Sequence, residues 1–433
     1  MILLYRILFV PALFLVLPHY LYRMWRRGGY KQGFWNRLGV FSNVPPKLPG
    51  VKRIWIQAVS VGELNAIGAL LERFRDEPGT EVILTTTTST GYSLMTGNYG
   101  RLTAWRGVFP LDFWPFSAGA WKTIKPDLAV LMEGELWPEH IHQAARRRVP
   151  VCLINARISD RSFLRHYRMR HLTRQFYRKL DSIYAGSEGN ARRFKDLGWI
   201  PASKIQTTGN LKLDISLDVP TGPEARESFR KAFGFGDEPD PLILLGSSTW
   251  PGEERALVSA FGELREEFPR LRLLIVPRHA ERRAEIERVV QEAGFASHLR
   301  SSGKPALPGT LVHIADTTGE LPSLTAHADM VFIGKSLPPN DGGQTPIEAA
   351  ALGKPIIMGP GMSNFRDVSR RLLKLGAAHS IESGQELTSA IRRLLRDDSL
   401  RRGSGEAGSQ LVAESEGASE RTFEALMKVA ASR

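Results

Sequence analysis

Between Arg53 and Gly359 short apolar runs alternate with stretches of helical periodicity, and the whole alternation occurs twice. No other feature constrains the fold as much. Strands that alternate with helices satisfy their backbone and bury their side chains as parallel sheets covered on both faces. In the first half the expected strands are Arg53–Val59, Glu81–Thr87, Gly107–Pro110, Asp127–Met132, Pro150–Asn155 and Ser182–Gly186. In the second they are Leu242–Gly246, Leu271–Pro277, Thr310–Ala315, Met330–Gly334 and Pro355–Gly359. The stretch LDVPTGPEARES, from Leu217, breaks the pattern with Pro and Gly and reads as a linker. The expected architecture is α/β, with two doubly wound Rossmann-like domains facing a cleft, over 29–216 and 241–433, joined by a linker at 217–240. A length of 433 residues suits two domains plus extras. The Gly-, Ser- and Glu-rich stretch Arg402–Gly417 is expected to be at most a loop before a last helix.

The N-terminal run ILLYRILFVPALFLVLPHYLY is mostly apolar and is followed at once by Arg23, Arg26, Arg27 and Lys31. A secretory signal would place its charge ahead of the apolar stretch, so 1–28 reads as a membrane anchor. Its length is near that of a span, while Pro11 and Pro18 suit an interfacial helix, and both forms stay open. The basic C-terminal flank predicts that the rest of the chain stays in the cytoplasm. A net charge of +13 calls for a polyanionic partner, namely an anionic membrane surface, a phosphorylated substrate or nucleic acid, or else marks a well-solvated surface. Cys152 is the only cysteine, which excludes an internal disulfide and a cysteine-built metal cluster. Its neighbours VPVCLINA make it a buried strand residue.

Polar clusters fall where strands end, which is where doubly wound sheets bind ligands. Glu63, in AVSVGELNA, opens the helix after the first strand, where the helix dipole favours an ionised carboxylate. It is either a general base or an ordinary first-turn cap. The fourth strand ends in LMEGELWPE, with Glu133 and Glu135 beside Trp137. The run from Arg157 to Lys179 interleaves basic residues with Phe163, Leu164, Tyr167, Met169 and Phe176. Anionic lipid fits it better than nucleic acid, since no recognition motif accompanies the charge, and a solvated helix face stays open. In the second half GSSTWPGEE, VPRH, ADTTGEL and GKSLPPNDGGQTPIEAA stand at successive strand ends and together point to a nucleotide site. There is no phosphate-loop or dinucleotide fingerprint, no Asp-x-Asp pair and no zinc spacing. A nucleotide donor would then have its phosphate charge offset by helix N-termini and Lys or Arg.

These motifs, together with NRLG (Asn36–Gly39), ELWP, NARIS and GNLKLD, resemble the Kdo transferases of lipopolysaccharide synthesis over nearly the whole chain. The resemblance implies a membrane-associated GT-B glycosyltransferase that moves 3-deoxy-D-manno-octulosonic acid (Kdo) from CMP-Kdo to a lipid A precursor. It further implies inversion, no bound metal and no nucleic-acid partner. By this resemblance Glu63 is the general base, and Glu133 and Lys212 stabilise the transition state. The CMP site falls on Pro277, Arg278, Thr318, Gly319, Glu320, Thr345, Pro346, Ile347 and Glu348. The chain departs from the family at Gln344, Thr345 and Ala349, at Trp250 where a His is frequent, and at Gly361. All of these lie on the donor side. A GT-B transferase using a UDP-sugar on a lipid acceptor is the alternative enzyme. A non-catalytic membrane-bound nucleotide- or nucleic-acid-binding protein is the alternative of another class.

Overall fold

A computed structural model describes residues 2–27, 33–215, 217, 219–220, 222–233, 241–307 and 309–432. Lys31 of the basic flank and residues 218, 221 and 234–240 of the expected linker lie outside the described residues. The chain forms two compact units, Met1–Asp214 with Ser415–Arg433, and Ile215–Glu414.

The first unit is a seven-stranded, wholly parallel sheet. Its strands are β1 (Lys52–Gln57), β2 (Thr80–Thr86), β3 (Trp105–Val108), β4 (Leu128–Met132), β5 (Val151–Ala156), β6 (Ser182–Ala185) and β7 (Ile205–Thr207). They lie in the order β3-β2-β1-β4-β5-β6-β7. Ile54, Ile56, Val130, Cys152 and Ile154 are buried toward one layer of helices, and Trp55, Leu131 and Leu153 toward the other. Burial on both faces explains why these strands read as continuous apolar runs rather than as alternations. Burial also pushes the Cys152 thiol up, so it is a packing residue, as expected.

The second unit repeats the plan. Its strands are β8 (Leu242–Thr249), β9 (Leu271–Pro277), β10 (Ser297–Leu299), β11 (Val312–Ile314), β12 (Met330–Ile333), β13 (Ile356–Met358) and β14 (Ala378–Ser380). The order is β10-β11-β9-β8-β12-β13-β14, again all parallel. Strand order reverses between β1 and β4 in one sheet and between β8 and β12 in the other. Two parallel doubly wound sheets are consistent with the GT-B class.

Two expectations change. The stretch Arg402–Gly417 is helical for most of its length, within Asp398–Ala413. Its glycines are there for proximity: a Cβ at Gly405 would stand 2.0 Å from the carbonyl oxygen of Gly353, and one at Gly408 3.3 Å from Cα of Ala350. Small residues let this helix lie directly on Ile347–Ala351, which outweighs their poor helix propensity. The last helix, Ala418–Ala431, packs on the first unit although the sequence reading kept 241–433 together. Phe423 meets Phe74 edge-on at 5.1 Å, and the Tyr184 hydroxyl donates to the Ala425 carbonyl at 3.1 Å. Asp214, the last residue of GNLKLD, caps this helix by accepting from the N–H groups of Gly417 (2.8 Å) and Ser419 (2.5 Å).

The N-terminal helix, Ile2–Arg27, contains both prolines and docks on the first unit through polar side chains. Arg6 makes a two-pronged pair with the buried Glu139, both contacts at 2.8 Å, and the Tyr5 hydroxyl donates to Asp112 at 2.7 Å. No helix among the described residues is long and apolar enough to cross a membrane.

Gly405→Ala should lower the melting temperature of the full chain by several degrees, since overpacking costs roughly 1–3 kcal/mol. Gly403→Ala, in the same helix with nothing within 4 Å of its Cβ position, should leave it unchanged or raise it. Thermal denaturation followed by circular dichroism separates the two.

Candidate active site

The first group of candidate residues gathers where strand order reverses. Ser60 ends the loop after β1 and caps the helix Val61–Ala66, its hydroxyl accepting from the Glu63 N–H at 3.3 Å. The Glu63 carboxylate reaches back, accepting from the Val59 N–H at 2.8 Å and the Ser60 hydroxyl at 3.0 Å. This is a reciprocal capping arrangement, so the capping role weighed for Glu63 is present in the geometry. It does not exhaust the carboxylate, which has about four lone-pair directions and uses two. Glu63 is 6% exposed. Burial first, and then the negative charge of Glu133, push it up to about 7 against the lowering effect of its two hydrogen bonds. A carboxylate at that value is matched to proton abstraction near neutral pH.

Glu133 is the first residue beyond β4 and sits in left-handed backbone, φ 57°. It pairs with Arg157 and, at 2.5 Å, with the Lys212 ammonium. Lys212 is placed by its own segment: Asn155, at the end of β5, accepts from the Leu211 N–H at 3.2 Å, and Asn210 accepts from the Lys212 N–H at 3.1 Å. Burial and Glu133 also push Glu135 up. The structure therefore brings Glu63, Glu133 and Lys212 into one electrostatic cluster. It adds Arg157, which the sequence placed only in a basic run. Its position two residues after Asn155, at the end of a central strand, was the available signal.

The donor-side candidates occupy the carboxyl edge of the second sheet. Pro277 ends β9 and is buried, while Arg278 is exposed and its N–H donates to the Thr249 carbonyl at 3.1 Å. Thr318 and Gly319 are exposed in the loop after β11. Glu320 accepts from Arg300 at 3.0 Å and from Thr317, and the Arg300 hydrogen bond in particular holds it below the usual carboxylate range. Thr345, Pro346 and Ile347 lead into a short helix, with the Ile347 N–H donating to the Thr345 hydroxyl at 3.3 Å, and burial pushes Glu348 up. These residues belong to β9, β11 and the turn after β12. The strand between β9 and β12 is β8, and none of these residues lies in the turn that follows it. Trp250 and Glu253 follow β8 directly, and Lys335 follows β12. Among the described residues no three His, Cys, Asp or Glu side chains gather as metal ligands would.

The profile of a family described as 3-deoxy-D-manno-octulosonic-acid transferase (kdotransferase) matches residues 32–215. A 3-deoxy-D-manno-octulosonic acid transferase of Haemophilus influenzae is 30% identical over 92% of this chain and 91% of its own. One of Bordetella pertussis is 33% identical over 93% of this chain and 94% of its own. The chain belongs to the Kdo transferase family. It is a glycosyltransferase. A UDP-GlcNAc 2-epimerase of Neisseria meningitidis, 15% identical with a TM-score of 0.51 over 87% of this chain and all of its own, shares the fold alone.

The raised Glu63 value fixes a pH dependence. The folded chain holds that proton more tightly than the unfolded chain, so the contribution is present below pH 4.5 and is lost as pH rises through about 7. Glu63→Gln removes the titration. Between those two pH values the variant should lose less stability than the wild type, by about 1–3 kcal/mol, read as melting temperature against pH.

Proposed function

We propose that this family member transfers Kdo from CMP-Kdo to a lipid A precursor during lipopolysaccharide synthesis, with inversion, without a bound metal, and with Glu63 as general base. The observation that carries the proposal is the buried Glu63 carboxylate poised near 7 beside Glu133, Lys212 and Arg157. In this reading Glu63 takes the proton of an acceptor sugar hydroxyl. The freed oxygen attacks the anomeric carbon of Kdo from the face opposite the phosphate. The carbon–oxygen bond to the phosphate breaks, and CMP leaves with the bonding electrons. Lys212, held by Glu133, supplies positive charge as negative charge builds on the departing oxygen. Arg278, Pro277, Thr318 to Glu320 and Thr345 to Glu348 hold the nucleotide at the second sheet.

The membrane side of the proposal rests on two surfaces of the first unit. The N-terminal helix turns Leu3, Leu4, Ile7, Leu8, Val10, Phe14 and Leu15 outward, all exposed. It packs on the helix Pro138–Arg147, which packs on Arg170–Tyr177. There and in Asp160–Arg168, exposed Arg161, Arg165, Arg168, Arg170, Arg174 and Arg178 stand among exposed Leu164, Tyr167 and Met169. Apolar side chains among cations suit an anionic lipid interface. We accordingly assign the protein to the cytoplasmic face of the inner membrane, where a lipid acceptor would be reached without leaving the bilayer.

Transfer of labelled Kdo from CMP-Kdo to a tetra-acylated lipid A precursor, with EDTA present, tests the reaction. Wild type should transfer, and a folded Glu63→Ala variant should lose at least about a hundredfold. The log of kcat/KM should rise with pH up to about 7 and then level. Transfer from a UDP-sugar instead, or activity abolished by EDTA, would overturn the assignment.

Deleting the N-terminal helix is a poor test of membrane binding, because it takes Arg6 from the buried Glu139 and Tyr5 from Asp112. Replacing Leu4, Leu8 and Leu15 with Ser leaves Tyr5 and Arg6 in place. It should move the protein from the membrane fraction toward the supernatant on flotation with anionic vesicles, and more completely at high salt.

A further inference from the structure

Lys335 lies two residues beyond β12 and holds left-handed backbone, φ 58°. That conformation is cheap for glycine and costly for lysine, and it persists only where surroundings enforce it. The enforcing group is Glu253. Its buried carboxylate accepts from the N–H groups of Lys335, Ser336 and Trp250, each at 2.8 Å, and from that of Leu337 at 3.1 Å. Four backbone donors on one carboxylate clamp the turn after β8 to the turn after β12, across the point where strand order reverses.

The clamp sets the Lys335 ammonium 4.4 Å from the centre of the Trp250 ring. No carboxylate of the described residues pairs with that ammonium, and the side chain is half-buried. Beside it the indole N–H of Trp250 is buried with no partner among the described residues. Close by is the Gly342–Gly343 turn, where a Cβ on Gly342 would stand 2.8 Å from the Asn364 amide nitrogen and 3.5 Å from the ammonium. A strained backbone, a cation resting on an aromatic face and an idle donor therefore converge at one point of the sheet edge, beside a glycine turn. A lysine whose only task was solubility would not be held in this way.

We infer that Lys335, supported on Trp250, is the cation that receives the phosphate of the donor nucleotide, an inference that rests on the CMP-sugar reading above. The ammonium donates to the phosphate oxygens in the bound donor, and it continues to offset their charge as CMP leaves. Glu253 is the positioning residue, acting through the backbone of Lys335.

The test is calorimetric titration of CMP into the full chain in detergent at two ionic strengths, for the wild type, Lys335→Gly and Lys335→Arg. Lys335→Gly removes the charge and suits the backbone, so its melting temperature should equal or exceed that of the wild type. Its CMP affinity should fall by about tenfold or more, and what remains should depend less on salt. Lys335→Arg should keep CMP affinity within a few-fold of wild type. CMP affinity of Lys335→Gly within twofold of wild type, or reduced with undiminished salt dependence, would overturn the assignment. Absence of CMP binding by the wild type would overturn the donor reading itself, which separates the two failures.

Discussion

A parallel sheet covered by helices on both faces leaves its strands no exposed side, so chemistry is confined to the carboxyl edge. Both units obey this constraint, and both concentrate backbone strain where they obey it. Glu133 follows β4, Asn155 lies near the end of β5, Ser248 near the end of β8 and Lys335 just beyond β12, and all four hold positive φ without being glycine. Each is retained by a specific contact. Arg157 and Lys212 hold the Glu133 side chain, the Leu211 N–H is bonded to Asn155, and Glu253 holds the backbone of Lys335. Ser248 lies against Gly334, where a Cβ would stand 2.2 Å from its carbonyl oxygen. Strain so placed fixes where a side chain points at a site that cannot be relocated.

Glu63 and Glu253 show how one constraint yields two kinds of carboxylate. Each opens a helix directly after the first strand of its sheet, and burial pushes each upward. Glu253 accepts four backbone N–H groups, which fills its hydrogen-bonding capacity and leaves nothing for a ligand. Glu63 accepts two and feels the charge of Glu133 nearby. The first is a clamp, and the second keeps the means to take a proton. Position on a helix does not distinguish them; the count of donors does.

The central strands were legible because burial on both faces writes them as apolar runs. β7, β10 and β14 were not, because each is a three-residue strand at or near a sheet edge with polar members, such as His298 and His379. The Asp398–Ala413 helix was hidden by its glycines, whose purpose is contact with Gly353 and Ala350, a tertiary fact with no local signature. At the site, Glu63 and Glu133 stood out because each follows a strand within a family motif, and Lys212 through the motif GNLKLD alone. The Arg157–Glu133 pair did not, since one arginine in a run of eight basic residues carries no mark of its partner. Lys335 was written in GKSL, yet its left-handed backbone and its place over Trp250 depend on Glu253, some eighty positions earlier in the chain.

The N-terminal helix inverts the usual amphipathic rule. Its docked side carries Tyr5, Arg6 and Phe9, the last stacked on Phe113 at 5.0 Å, and its outer side carries a band of Leu, Ile and Phe. A helix stabilised by water would reverse those sides. Glu139 keeps its charge because Arg6 and Gln143 supply hydrogen bonds that offset its burial, holding it below the usual carboxylate range. Asp112, beneath Tyr5, is pushed by burial up to about 7 even though Tyr5 and two backbone N–H groups bond to it. The protein thus commits buried polar contacts to holding an apolar band outward. An exposed apolar band fixed to the body of the first unit marks an interaction surface, and it is the physical ground of the lipid contact proposed for this helix.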